Sequence, residues 1–561
     1  MVSDEKTRHT LSLMGKSPDE RITPGIGREI AQRTGVKAVI GGSIAGMGSQ
    51  YVVTLDAVNA ATGDTLADVQ ARADSKEQVL KALDQSTTQL REKLGESLTS
   101  IQKFDKPLEE ATTSSLAALK AFSLGDQKHT AGDDLASIPF YKQAIELDSN
   151  FALAYARLGT VYLNYGQMET SEEYRGKAFD LKDRASEHER LYITAHYYAD
   201  AGQLEKGNAA YELYKQTYPR DNTPYINLAA TELQLGDFDH ALENTQGALR
   251  ADSDDSRAYE GSARAYMGLN RLEEAKTVAN EGLRLHPDFV LLHDTLAIVA
   301  VAEGDLATMK HEESMGKAQP DLEWSARYRD GELAASHGQL RRAAEFYEKA
   351  TQVGQRLQVK SSEAVPVNQR GWVQALAGNR KDAIASANAS LAILEDYNQK
   401  LYAADVLALA GDNKKALDLA EEVASSRPDD VFVQAVYVPG VRAAVALNGG
   451  DAAKAIELLQ PANSYDRAPT PTLYFRGLAY LKGGHGSEAA QEFQKILALH
   501  NFAPADPLMS LAQLGLGRAY ALQHVSQKSR TAYQDFFAFW KDADPDLPIL
   551  KEAKSEYAKL Q

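Results

Sequence analysis

The 561 residues of this chain include no cysteine. That removes disulfides, zinc–thiolate sites, iron–sulfur clusters and thiol catalysis together. It leaves the compartment open, because a cysteine-free chain tolerates reducing and oxidising surroundings alike. Long apolar runs are also missing. The best stretch, Phe289 to Ala302, is interrupted by His293, Asp294 and Thr295, whereas a membrane-spanning helix needs about 18 unbroken apolar residues. No membrane insertion is expected. The opening Met-Val-Ser-Asp-Glu-Lys lacks a basic region followed by an apolar stretch, so no secretion signal is read and a cytoplasmic chain is expected. Positive charge is scarce as well: 61 Lys and Arg against 78 Asp and Glu leave a net charge of −17. Such a balance argues against a nucleic-acid partner, whose phosphates need clustered cations.

What is present is a folded composition, 43% hydrophobic and 25% charged. The length suits either several domains or one elongated repeat array. Residues 1–105 alternate strand and helix signals and read as a small α/β unit. Thr23-Pro24 starts a helix that Gly35 ends. Lys37 to Ile44 reads as a strand, Gly46-Met-Gly-Ser49 as a turn, and Tyr51 to Val58 as a second strand with Tyr51, Val53 and Leu55 on one face. A Thr62-Gly63-Asp64 turn leads to a third strand, Thr65 to Ala71. Ser75 and Gln78 have capping-box spacing ahead of an amphipathic helix marked by Val79, Leu83, Leu90 and Leu94.

From about Ser114 the strand signals stop and helix pairs take over. Gly202, Gly236, Asn270, Gly304 and Gly338 recur every 34 residues, and glycine or asparagine is what a left-handed helix-ending residue requires. Ala195, Ala229, Ala263, Ala297 and Gly331 fill a small-residue column seven places earlier. Gly207, Ala241, Ala275, Met309 and Ala343 fill another five places later. Small residues let paired helices approach, and the tyrosines at 198, 266, 211 and 347 fill the gaps between pairs. These columns resemble the tetratricopeptide repeat. With slippage they extend over residues 106–545, about twelve helix pairs, and residues 546–561 read as a capping helix. The fold class expected is therefore mainly α, a superhelix of helix pairs behind a short three-stranded α/β unit. Two extra residues fall in Asp183 to Glu189, and the step of 40 from Gly338 to Gly378 places six more near Gly354 to Val365.

Chemistry is sparse. Gly41-Gly42-Ser-Ile-Ala-Gly46-Met-Gly48 is followed by a strand and has no lysine, so it reads as a hairpin rather than a phosphate loop. The 12 histidines show no metal spacing, and His286 and His293 straddle Pro287. Asp252-Ser-Asp254-Asp255 lacks a calcium loop's glycine and distal glutamate and reads as helix capping. Phe536-Phe-Ala-Phe539-Trp540 reads as the inner face of the last pair, sealed by Ile549 to Leu560. No cofactor, metal or catalytic residue is assigned. What remains is a concave groove lined by the first helix of each pair. Its candidates are Tyr192, His196, Asn227, Arg257, Arg264, Tyr328, Arg329, Asn368 and Trp372. Asparagine and arginine can hold an extended segment's backbone or carboxylates, and tyrosine or tryptophan its apolar side chains. The expected function is a non-enzymatic scaffold for protein or peptide segments.

Beyond the repeats, the whole chain resembles the non-catalytic region of acidobacterial-type transmembrane serine/threonine protein kinases. The likeness is carried by Thr10-Leu-Ser-Leu-Met-Gly15, Glu20-Arg-Ile-Thr-Pro24, Thr34-Gly-Val-Lys-Ala38, Leu94 to Phe104, Leu516 to Ala521 and Tyr533 to Pro545. The opening unit is similar to the amino-terminal domain of TolB-like proteins. That resemblance implies an earlier strand and helix ahead of Met1, a sensory or partner-recruiting role in signal transduction, and an extracytoplasmic location if a membrane anchor precedes the chain. The kinase motifs Val-Ala-Ile-Lys, His-Arg-Asp and Asp-Phe-Gly do not occur, so no catalytic role carries over.

Overall fold

The computed structural model describes residues 4–17, 20–96, 112–130, 133–315, 320–467 and 470–560. The expected boundary at 105/106, and the family-like stretch from residue 97 onward, lie outside them. Helices α1 (Asp4–Leu13) and α2 (Pro24–Arg33) lead into β1 (Ala38–Met47), β2 (Gln50–Asn59), β3 (Thr65–Ala73) and α3 (Val79–Lys93). Thr23 caps α2 through its side chain, which accepts from the Ile26 amide at 3.4 Å. The strands form an antiparallel meander, with Ala38 opposite Asn59 and Tyr51 opposite Ala73.

Two local expectations are corrected. β1 continues through Gly46 and Met47, because Met47 still pairs with Gln50, which leaves only Gly48-Ser49 as the turn. Ser75 makes no side-chain cap. A 3-10 turn, Lys76–Gln78, precedes α3 and swings the Gln78 side chain back to accept from the Asp74 amide at 3.2 Å. α3 covers β2 and β3: Val79, Ala82 and Leu90 bury against Val53, Ala57, Val69, Ala71 and Ala73. Ile40 and Ile44 of β1, paired with Ala57 and Val53 and so on the same face, stay exposed.

Twelve helix pairs follow among the described residues. The first four are Leu116–Thr130 with Asp134–Leu147, Ala152–Asn164 with Met168–Asp180, Glu187–Asp200 with Leu204–Thr217, and Thr223–Leu235 with Phe238–Ala251. The next four are Ser256–Gly268 with Leu272–Leu285, Val290–Glu303 with Leu306–Met315, Pro320–Ser336 with Leu340–Leu357, and Lys360–Leu376 with Arg380–Ile393. The last four are Tyr397–Ala410 with Asn413–Ser426, Val438–Asn448 with Ala452–Leu458, Pro471–Lys482 with Gly486–Ala498, and Pro507–Leu522 with Ser526–Phe539. Helix Pro548–Ala558 packs on the last pair, where Tyr533 donates to Glu556 at 2.9 Å. None of the described helices is long and apolar enough to cross a membrane.

The 34-residue column has the expected backbone: φ is +72 at Gly202, +71 at Gly236, +60 at Asn270, +74 at Gly304 and +71 at Gly338. The small residues sit at helix crossings, with Ala195, Ala263, Ala297, Ala241, Ala275 and Ala343 all fully buried. The six extra residues near Gly354 form no loop. They lengthen the helices on either side, to 18 residues in Leu340–Leu357 and 17 in Lys360–Leu376. The two near Asp183 form a 3-10 turn, Lys182–Arg184, ahead of a capping box between Ser186 and Glu189.

The superhelix closes on itself. The Val431 amide donates to Gly202 O at 3.1 Å, Asp544 to Gly338 O at 3.0 Å, and Ile549 to Ala377 O at 3.4 Å. Asn501 donates to Asn270 Oδ1 at 3.1 Å, and Arg427 pairs with Glu172. Trp540, within the aromatic run, donates from its indole to Ser336 O and Ser510 Oγ, each at 3.0 Å. Phe536 is buried with it, whereas Phe539 is exposed. The turns of the early pairs thus dock on the connections between the late ones.

This docking gives a test. A Cβ on Gly304 meets nothing within 4 Å, whereas on Gly236 it would lie 2.0 Å from Arg467 O. Gly304→Ala should lower stability by the left-handed backbone strain alone, about 1–2 kcal/mol. Gly236→Ala should lower it by at least about 1–3 kcal/mol more through overpacking. Urea denaturation followed by tryptophan fluorescence reads both, and equal losses would show that the Gly236–Arg467 contact contributes nothing.

Candidate functional site

The first helices of successive pairs pack on one another from the fourth pair to the twelfth, while the second helices make no comparable contact among the described residues. The first helices therefore form the inner wall of the superhelix, and functional side chains should be sought on them.

The nine groove candidates separate by environment. Tyr192 and His196 are buried, their rings 3.9 Å apart, and Arg157 donates to the Tyr192 hydroxyl at 3.0 Å. Burial drives the His196 imidazole down to about 3, so it is neutral at any working pH, and its Nδ1 bonds to Tyr192 O. Arg329 is buried between Asp294, at 2.6 Å, and Glu313, at 3.4 Å. Asn368 accepts from Ser390, and Trp372 packs edge-on to Phe475. These five side chains pack within or between repeats and offer a ligand little surface. Asn227 is half-buried and donates to Thr223 O on its own helix. Tyr328 is half-buried and stacks on Trp324 at 5.1 Å.

Arg257 and Arg264 alone among the nine are exposed. Seven residues apart, they share one face of Ser256–Gly268. Glu260 lies between them, 3.6 Å from Arg264, and the Arg264 guanidinium sits 5.7 Å from the Phe502 ring centre. Burial pushes the Glu260 carboxyl up against the pull of Arg264.

The inner wall also holds carboxylates that the sequence reading did not single out. His196, Arg264 and Trp372 stand six places before their turn residues, Gly202, Asn270 and Gly378. The same column holds Glu332 before Gly338 and Asp405 before Gly411, so the signal was available. Burial raises Glu332 to about 8, helped by the charge of Asp506 and opposed by Arg329. Burial alone raises Asp405 to about 8, and its Oδ1 has no hydrogen-bond partner among the described residues. Asp506 rises to about 6 through burial, although it accepts from the Leu508 amide at 2.8 Å. Among the described residues no three metal-binding side chains converge. A polar cavity of about 270 Å³ lies apart from these groups, between Arg370, Gln374, Asp382, Ala385 and Ser386.

Comparison with known proteins places the array. Models of the tetratricopeptide repeat match residues 232–298 and 140–173. The chain is similar to Superkiller protein 3 of Schizosaccharomyces pombe, 28% identical over 159 residues, which are 27% of this chain and 11% of that protein. It is also similar to the Hsp70/Hsp90 co-chaperone CNS1 of Saccharomyces cerevisiae, 25% identical over 147 residues, which are 26% of this chain and 37% of that protein. The chain thus spans between about a tenth and little more than a third of the length of these curated relatives. Among solved structures, that of the APC/C hetero-tetramer Cut9-Hcn1 covers 87% of this chain and 96% of its own, at 12% identity and a TM-score of 0.39. The helical array is a superhelix of helix pairs that matches the tetratricopeptide-repeat models at residues 140–173 and 232–298.

Asp405 supplies a prediction with a definite sign. Its ordinary value is 3.8 and its folded value about 8, so the folded chain keeps a proton that the unfolded chain releases. Its burial is harmless near pH 4 and increasingly destabilising as pH rises to 8. Asp405→Asn should therefore stabilise the protein at pH 8.5, by about 1–3 kcal/mol, and leave it unchanged near pH 4. Thermal melts of both proteins across that range measure the difference.

Proposed function

We propose that this tetratricopeptide-repeat protein is a non-enzymatic scaffold that holds a protein or peptide segment against the inner wall of its superhelix. The observation that carries this reading is the pair of exposed arginines, Arg257 and Arg264, on one inner helix face beside Phe502. Buried cations such as Arg329 and Arg476 are consumed by structural ion pairs. Arg257 and Arg264 instead stay exposed, Arg264 in only a loose 3.6 Å pair with Glu260, and offer guanidinium donors to a carboxylate, each such bond contributing about 1.5–3 kcal/mol. A neighbouring aromatic ring suits an adjacent apolar side chain. The similarity to a co-chaperone supports a protein as partner, not any particular one. The resemblance to receptor kinases would make this scaffold the partner-recruiting half of such an enzyme. An adjoining coding sequence with His-Arg-Asp and Asp-Phe-Gly motifs would favour that version.

Affinity capture with the full chain, repeated with Arg257→Ala/Arg264→Ala, tests the assignment. Both side chains are exposed, so folding should be preserved while recovery of the specific partner falls by at least about tenfold. Unchanged recovery by a folded double variant would overturn the assignment of these arginines.

A further inference from the structure

Glu332 and Asp506 come from pairs five repeats apart, yet their helices pack directly on one another. The indole of Trp540 fixes that crossing: it bridges Ser336 and Ser510, each four residues beyond one of the two carboxylates. Glu332 accepts from Gln369 at 3.2 Å through Oε1, and Asp506 accepts from the Leu508 amide through Oδ1. Neither forms an ion pair among the described residues. The nearest arginine in sequence, Arg329, is held by Asp294 and Glu313. Beside them stands Tyr347, 1% exposed, whose hydroxyl makes no hydrogen bond of ordinary geometry among the described residues, with the Gln369 side chain close by. Glu332 and Asp506 are the two charges acting on that hydroxyl. The Tyr328 ring, 5.8 Å from that of Tyr347 and stacked on Trp324, adds an aromatic surface.

Two unpaired carboxylates and an unsatisfied hydroxyl are costly for a protein to keep unless something uses them. Their chemistry is that of a cation receptor. Glu332 Oε2, Asp506 Oδ2 and the Tyr347 oxygen are three acceptors, matching the three donors of a lysine ammonium, and a neighbouring tyrosine face attracts the same charge. A guanidinium could use the two carboxylates in the same way. Glu332, Asp506 and Tyr328 are only half-buried, so the position can be reached from the inner wall.

We propose that Tyr328, Glu332, Tyr347 and Asp506 form a pocket for one cationic side chain, lysine or arginine, of the segment bound by the scaffold. This rests on the scaffold reading and deepens it. The bound segment carries acidic groups toward Arg257 and Arg264 and a basic residue toward the seventh and twelfth pairs.

The test titrates the full chain, at pH 8.5 where Glu332 is largely ionised, with acetyl-Ala-Ala-Lys-Ala-Ala-amide and with its arginine and glutamine counterparts. Binding is read by calorimetry and by the fluorescence of Trp324. Saturable binding of the lysine or arginine peptide, at least about tenfold tighter than the glutamine peptide, is expected, and the preference between the two cations names the side chain. Glu332→Gln should weaken it at least about tenfold, and Tyr347→Phe, which removes one acceptor, about threefold. Glu457→Gln, on an exposed outer helix, should change nothing. The pocket is disproved by equal binding of the glutamine peptide, by absent saturation, or by equal weakening in Glu332→Gln and Glu457→Gln. If Glu332→Gln fails to fold, Tyr347→Phe decides. Loss of cation binding together with an intact effect of Arg257→Ala/Arg264→Ala would remove the pocket and leave the scaffold standing.

Discussion

A backbone carbonyl at the turn inside a helix pair, accepting from an amide far along the chain, is the interaction on which this architecture depends. Gly202 receives Val431, Gly338 receives Asp544, and Ala377 receives Ile549. Each bond is worth only about 0.5–1.5 kcal/mol net, but together they set the pitch. A solenoid in which each repeat touches only its neighbours is quasi-one-dimensional and frays from its ends. Here the third pair is tied to the connection before the tenth, and the seventh to the chain after the twelfth. Opening the array at one end then requires breaking contacts in its middle, so early and late pairs lose structure together.

The same closure determines the chemistry of the inner wall. Packing the seventh and twelfth pairs together withdraws water from side chains that an open superhelix would leave solvated. Where cation and anion enter together, as Arg476 does with Asp466 and Glu492 or Arg329 with Asp294 and Glu313, the burial is compensated and the link is rigid. Where a carboxylate enters alone, as with Asp405 and Glu332, it holds its proton to about pH 8. Perturbed groups of this kind concentrate at functional sites because a stable fold has no other reason to retain them.

The repeats were legible because their determinants are local. A left-handed turn residue selects glycine or asparagine, and a tight helix crossing selects alanine or glycine. Both leave a column at fixed spacing, and Asn270, with φ +60, kept its place in that column. Closure was not legible. Its bonds join residues roughly 200 positions apart and run through backbone groups that carry no residue signature. Gly236 is conspicuous as a helix end, yet nothing in its neighbours reveals that Arg467 O will lie where a Cβ would be. The groove residues were misjudged for a related reason. Tyr192, Asn368 and Trp372 stand at inward positions, but neighbouring and later repeats fill the space in front of them. Among the nine, exposure to solvent survived at Arg257 and Arg264.

Charge order along the wall then becomes a means of discrimination. Successive inner helices present Arg257 and Arg264, then Asp294 with Arg329 engaged, then Asp506 with Glu332, then Asp405, with Glu332 and Asp405 charged only as pH rises through about 8. On the proposed reading, an acidic segment is attracted at the fifth pair and repelled at the seventh, and a basic one meets the reverse. Only a segment carrying both signs in the right order escapes both penalties, and the order also fixes its polarity along the superhelix. Selectivity of this type arises as much from what the wall rejects as from what it binds. Its sharpness depends on the wall keeping its shape, because charges on a flexible surface could rearrange to suit either sign. The turn-to-turn hydrogen bonds that close the superhelix are what hold those charges in register.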